Sequence, residues 1–264
     1  MAGPLLQRIK SWLRGRRAGG LYYIQNLFEA TNWDADCQAA LESIAKAALE
    51  RGEVITTTSL LLALCPQLPL ERAYGAQEAD RFRQTLETQR ENPRMQTAAE
   101  PKALCDHGVM MAVSIAVFTS REEDAPITVA RLVGALLGQS FPTREFLERA
   151  GFDTMPLLRW AAHNTLDVRN HWPTGNFGDD PDAMYELLLI NDSITTQEIV
   201  TRLLIQHLSV SPEAARTMML ETHNDGESLL AVSELEVVVA LAEAIEGDAR
   251  AAGSPLDLQI RPSA

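Results

Sequence analysis

The sequence predicts two domains of different class: an all-α half built from a duplicated helical unit, then a smaller α+β domain ordered β-α-α-β-α-β. Three observations carry this. The chain has 264 residues, more than one average domain holds. Its first half repeats itself. Its last third alternates short apolar runs with capped, amphipathic stretches, and a segment dense in Pro, Gly, Asn and Asp separates the two.

The repeat pairs Ile55–Gln67 with Ile127–Gln139, where six of thirteen positions are identical at an offset of 72 residues. Leu70-Glu-Arg-Ala73 recurs as Leu147-Glu-Arg-Ala150 at an offset of 77. An Ala-rich helical stretch precedes each copy, Ala39–Arg51 and Leu104–Thr119. Thr56, Thr57 and Thr128 stand at N-cap positions ahead of Leu-rich faces, and Gly151 at a C′ position. The duplicated unit is placed over 25–163, behind a basic segment 1–24. Arg8, Lys10, Arg14, Arg16 and Arg17 in that segment flank Ile9, Trp12 and Leu13, as in a short basic amphipathic helix; the plainer alternative is a disordered tail or a helix docked on its own acidic protein.

A linker follows over 164–182, and the α+β domain spans 183–264. Its strands are expected at Tyr185–Ile190, Ser228–Val232 and Leu256–Ile260. Capping boxes at Thr195–Glu198 and Ser233–Glu236 would open two of its helices. Ser211-Pro212 opens the third, and Gly253 stops the last.

Composition narrows the function. With 36 acidic against 23 basic residues, net −13, the chain lacks the cationic surface that nucleic acid requires. No apolar run is long enough to span a membrane. Cys37, Cys65 and Cys105 are odd in number and lack CxxC spacing, so they read as reduced thiols in a cytoplasmic protein. The five histidines lack metal-ligand spacing, and no metal or other cofactor is expected. There is no P-loop and no nucleophile elbow, so the chain is expected not to be an enzyme.

What remains is a binding constellation. The strand Tyr185–Ile190 runs into Asn191-Asp192-Ser193, which offers an amide oxygen and a carboxylate. Met219, Thr222 and His223 share a helix face by their i, i+3, i+4 spacing. Carboxylate, amide oxygen and neutral imidazole suit an ammonium group, and an adaptable methionine suits an apolar pocket beside it.

In order and spacing, residues 183 to about 262 resemble the ClpS family, adaptors that deliver proteins with particular N-terminal residues to a Clp protease. The resemblance implies that Asn191, Asp192 and His223 hold the α-amino group. It places Thr195, Gln197, Val200, Met219, Thr222 and Leu256 around the side-chain pocket. Ser193, Gln197 and Thr222 depart from the usual acid, methionine and aliphatic residue, which implies altered selectivity. Glu236 falls on an acidic position for docking to the ATPase. Leu241 stands where a lysine is usual, and the whole domain has no lysine.

The duplicated half resembles the N-terminal domains of Clp ATPases in repeat length and in its Ile-Thr…Leu-x-x-Ala-Leu core. Together the resemblances imply an adaptor for N-degrons. Its partners would be a Clp ATPase or its N-domain and the N-terminal peptides of substrates, with an intramolecular contact between the halves as a further possibility. The alternative is a non-proteolytic binding, inhibitor or immunity-type protein reusing both folds.

Overall fold

The computed structural model describes residues 17–18, 21–23, 32–89, 104–138, 142–166 and 183–263. The expected helix of the basic segment, apart from Arg17–Ala18, and most of the linker lie outside these residues, as does Gln139 of the repeat. Contacts divide the chain into two units, 1–157 and 158–264.

The first unit contains β1 (Arg17–Ala18), β2 (Leu21–Tyr23), α1 (Ala35–Arg51), α2 (Thr57–Leu64), α3 (Leu70–Tyr74), α4 (Ala76–Thr88), β3 (Leu104–Cys105), α5 (His107–Glu122), α6 (Val129–Leu137) and α7 (Pro142–Arg149). Helix α8 (Met155–His163) begins in this unit, and its residues from Leu158 belong to the second. The three short strands form an antiparallel sheet in the order β1-β2-β3. Leu104 and Cys105 therefore belong to a strand, and not to the helix that composition suggests. An isolated pair of residues can be drawn into extended pairing by a neighbouring edge whatever its helix propensity.

Local sequence explains the helices. The Asp34 carboxylate accepts from the Asp36 and Cys37 amides at 3.0 and 3.3 Å and starts α1, and Gly52 ends it at φ 65°. The buried residues of α1, Cys37, Leu41, Ile44, Ala45 and Ala48, follow the helical period. Thr56 and Thr128 cap α2 and α6; Thr57 is the first helical residue beyond the cap. Gly151 adopts φ 85° after α7, where the Phe152 amide donates back to Leu147 O at 3.0 Å.

Two parallel bridges tie the halves of this unit reciprocally: Trp33 pairs with Ile127, and Ile55 with Cys105. Trp33 and Cys105 are 72 residues apart, as are Ile55 and Ile127. Leu60, Leu61, Phe82, Met110 and Leu132 fill the core between the helices. The three thiols are buried there and free.

The second unit adds β4 (Tyr185–Ile190), α9 (Gln197–Leu208), α10 (Pro212–Asp225), β5 (Glu227–Ser233), α11 (Leu235–Ala251) and β6 (Asp257–Pro262). The β-α-α-β-α-β order is the one expected from the sequence. β4 lies centrally in an antiparallel sheet ordered β5-β4-β6. Its pairings run from Tyr185 opposite Ser233 and Pro262 to Ile190 opposite Glu227 and Asp257. Tyr185, Leu187 and Leu189 share one strand face and join the core with Ile199, Leu203, Ala215, Val238, Ala242 and Ile245 of the helices.

Both expected capping boxes of this unit are displaced. Thr196, not Thr195, caps α9 through the Ile199 amide, because the Thr195 hydroxyl is taken by Ser254 at 2.7 Å. Ser233 stays in β5 opposite Tyr185, and α11 begins after Glu234 without a side-chain cap. Ser211 and Pro212 open α10 as expected.

Candidate functional site

Strand β4 ends at Ile190, and the next residues turn sharply because Asp192 folds back on its own backbone. Its Oδ1 accepts from the Ile194 amide at 2.7 Å and the Thr195 amide at 2.5 Å. This is the Asx-type turn that short acidic side chains favour. With Oδ1 committed to two donors, Oδ2 is the oxygen left to meet a cation. The Asn191 amide donates to Gly226 O at 2.9 Å, so this turn is tied to the end of α10. Gly226 holds φ 88°, a conformation that costs glycine little and lets β5 leave the helix at once.

That tie brings the pieces together. Asn191, Asp192, Thr195, Gln197, Val200, Met219, Thr222, His223 and Leu256, with Leu189 and Ile190, line one cavity of about 40 Å³. All nine residues expected to form the amine site and its pocket are therefore neighbours. They come from the end of β4, from α9, from one face of α10 and from the approach to β6. Met219, Thr222 and Leu256 are buried, Val200 is half-buried, and Gln197 and His223 are exposed at the rim.

The wall is more polar than its apolar members suggest. Thr222 Oγ1 donates to Met218 O at 2.9 Å and lies 2.6 Å from Ser228 Oγ. Ser254, which bonds Thr195, also accepts from the Leu256 amide at 3.3 Å. The volume is small: a cavity of about 150 Å³ is what accommodates a benzene ring. The space is thus smaller than a ring needs.

Sequence reasoning missed two residues of this unit. His163, at the end of α8, places Nε2 3.1 Å from Pro255 O and 4.0 Å from Asp192 Oδ2. The two side chains are only 5% and 2% exposed, so both are shielded from water. Arg159, one turn earlier, lies 3.7 Å from Asp257, and this pair is buried as well. An i, i+4 pair of cationic type on α8 was visible, but no pattern said what it faces. Of the two residues expected at the docking surface, Glu236 is exposed in the first turn of α11, and Leu241 is half-buried against the unit's own core.

The family model for the ATP-dependent Clp protease adaptor protein ClpS matches residues 180–259. The ClpS adapter of Ralstonia nicotianae is 36% identical over 76 residues, covering 29% of this chain and 70% of that protein. The ClpS adapter of Herminiimonas arsenicoxydans is also 36% identical over 76 residues, covering 74% of its length. Among solved structures, Agrobacterium tumefaciens ClpS2 bound to L-phenylalaninamide is similar at 27% identity and a TM-score of 0.30, covering 31% of this chain and 98% of that one. By the family match and these curated relatives, the small α+β domain is of the adaptor class. The chain belongs to the ClpS family of Clp protease adaptors through its C-terminal part. The reading as an immunity or inhibitor protein is not favoured.

Proposed function

We propose that the second unit binds the free N-terminal residue of substrate proteins and hands them to a Clp-family ATPase. In this reading Asp192 Oδ2, the Asn191 side-chain oxygen and His223 receive the α-ammonium group, and Met219, Val200 and Leu256 receive the first side chain. The observation that carries it is the convergence of nine separately placed residues on one cavity, with one oxygen of a shielded carboxylate left uncommitted by the turn it makes. A charge-assisted bond to that oxygen is the strong kind. Acetylation removes the charge and two donors, so it should abolish binding. The hydroxyl-bearing wall and the small volume favour a first residue smaller or more polar than an aromatic ring.

The helical half is read as a Clp N-domain-like module, working in the cytoplasm and coupling the adaptor to its machine. Its support is the recurrence of α1–α2 as α5–α6 at the repeat offset, together with the reciprocal bridges. Glu236 is available on the surface for docking, and Leu241 would serve only as part of an apolar patch.

The decisive experiment titrates the whole protein with short peptides beginning in Ala, Val, Leu, Phe, Trp, Tyr or Arg, each beside its acetylated twin. Binding that disappears on acetylation is expected. Equal affinity of the twins, or no binding by any peptide, would refute the amine site.

A further inference from the structure

Beside the cavity lies a larger cleft, of about 580 Å³, between α9 and α10. We propose that this cleft is a second subsite, occupied by residues two to four of the peptide whose first residue fills the cavity, and that it selects acidic side chains. The proposal rests on the reading of the cavity given above.

Continuity is the first argument. Gln197 and Met219 line both spaces, so a chain leaving the cavity at its rim passes directly into the cleft. The α9 side of the cleft extends from Gln197 past Ile205. That is roughly 12 Å of helix at ~1.5 Å per residue, the length of three to four extended peptide residues at ~3.3 Å each. Ile205 is 37% exposed there, and Pro212 and Met219 supply further apolar lining, enough to seat the stems of side chains.

Charge is the second argument. Arg202 from α9 and Arg216 from α10 both line the cleft and are exposed, and Glu198 is the one acid lining it. Among the described residues neither arginine takes part in an ion pair, although several other arginines do. Two uncommitted guanidinium groups on facing helices suit carboxylates arriving on successive side chains, which they can bind bidentately. The chain as a whole is strongly anionic, net −13, so its overall field opposes an acidic peptide. A preference for acid after the first residue can therefore only be local.

The test uses the full chain and three heptapeptides sharing the best first residue from the titration above, followed by two Glu, two Ser or two Lys. Two rim ion pairs of roughly 0.2–1 kcal/mol each predict that the Glu peptide binds roughly two- to thirtyfold tighter than the Ser peptide. The Lys peptide should bind more weakly than either, and the spread should shrink in high salt. In the double variant Arg202→Glu/Arg216→Glu the order should reverse while the melting temperature is kept, since both positions are exposed on helices. Equal affinity of the three peptides, or an order unchanged in the double variant, overturns the subsite while leaving the amine site standing. If no free-amine peptide binds the wild type, the cavity reading fails and the subsite fails with it.

Discussion

Thr222 Oγ1 and Ser228 Oγ lie 2.6 Å apart inside the wall of the cavity, and the direction of their bond is determined. The single threonine proton goes to Met218 O, so the serine must be the donor. Thr222→Val, which restores the aliphatic wall usual in the family, therefore leaves a buried serine hydroxyl without its acceptor. The expected cost is about 1–3 kcal/mol of stability. Adding Ser228→Ala should recover most of it, a coupling that a double-mutant cycle in urea measures directly. The doubly apolar wall should also shift preference towards larger hydrophobic first residues, and an unchanged peptide profile would show that the hydroxyl pair does not set selectivity.

The turn occupies one oxygen of Asp192 and the proposed amine site would use the other, so substitution separates the two. Asp192→Asn keeps an acceptor for the Ile194 and Thr195 amides but removes the charge. Peptide affinity should fall roughly ten- to hundredfold for a lost charge-assisted bond, with little change in melting. Asp192→Ala removes the turn as well, so it should cost both affinity and stability. Equal melting of the two variants would argue against the turn-forming role.

The buried pair Arg159–Asp257 makes the end of α8 part of the second unit. Arg159→Met should destabilise that unit by about 3–5 kcal/mol, because a buried carboxylate loses its cation. Asp257→Asn in the same background should restore part of the loss. Denaturant titration of the single and double variants decides this.

His163 donates from Nε2 to Pro255 O, next to Leu256 of the cavity lining and to Ser254, which bonds Thr195. His163→Ala should weaken peptide binding about fivefold, the worth of roughly 1 kcal/mol. His163→Gln, which retains an N–H donor, should weaken it less. Identical affinities for both variants and the wild type would show that this contact only supports the fold.

The thiols give the first unit an alkaline limit. Burial pushes Cys37, with Asp34 adding to it, and Cys65, with Arg83 partly offsetting it, from 9.0 up to about 12. Burial moves Cys105 further the same way, with Asp106 adding to it. In the unfolded chain these groups ionise near 9.0, while in the native state they keep their protons. The native state thus binds more protons above pH 9, so its stability is full below that point and declines as pH rises towards 12. The slope is about 1.4 kcal/mol per pH unit for each thiol. Urea midpoints at pH 7, 9 and 10.5 should fall in that order, and less steeply in Cys37→Ala.

The grouping of these residues around one cavity was more legible than the details of the fold around it. β4 was readable to the residue because an unbroken apolar run ends at Asn-Asp, and the α10 face followed from helical spacing alone. The capping boxes misled because the local pattern cannot register a distant competitor: Ser254 takes Thr195, and pairing with Tyr185 keeps Ser233 in its strand. What Arg159 and His163 face was unreadable for the same reason. Their partners Asp257 and Pro255 lie more than ninety residues onward, and nothing periodic links them.

The crossed bridges of the first unit carry a further consequence. Trp33 finds its partner ahead of α6, and Cys105 finds its own ahead of α2, so each half supplies a bridge partner to the other. Such reciprocal pairing has the form of a dimer interface closed within one chain. Covalent linkage replaces a concentration-dependent encounter with a fixed, high local concentration, and the exchange no longer weakens on dilution.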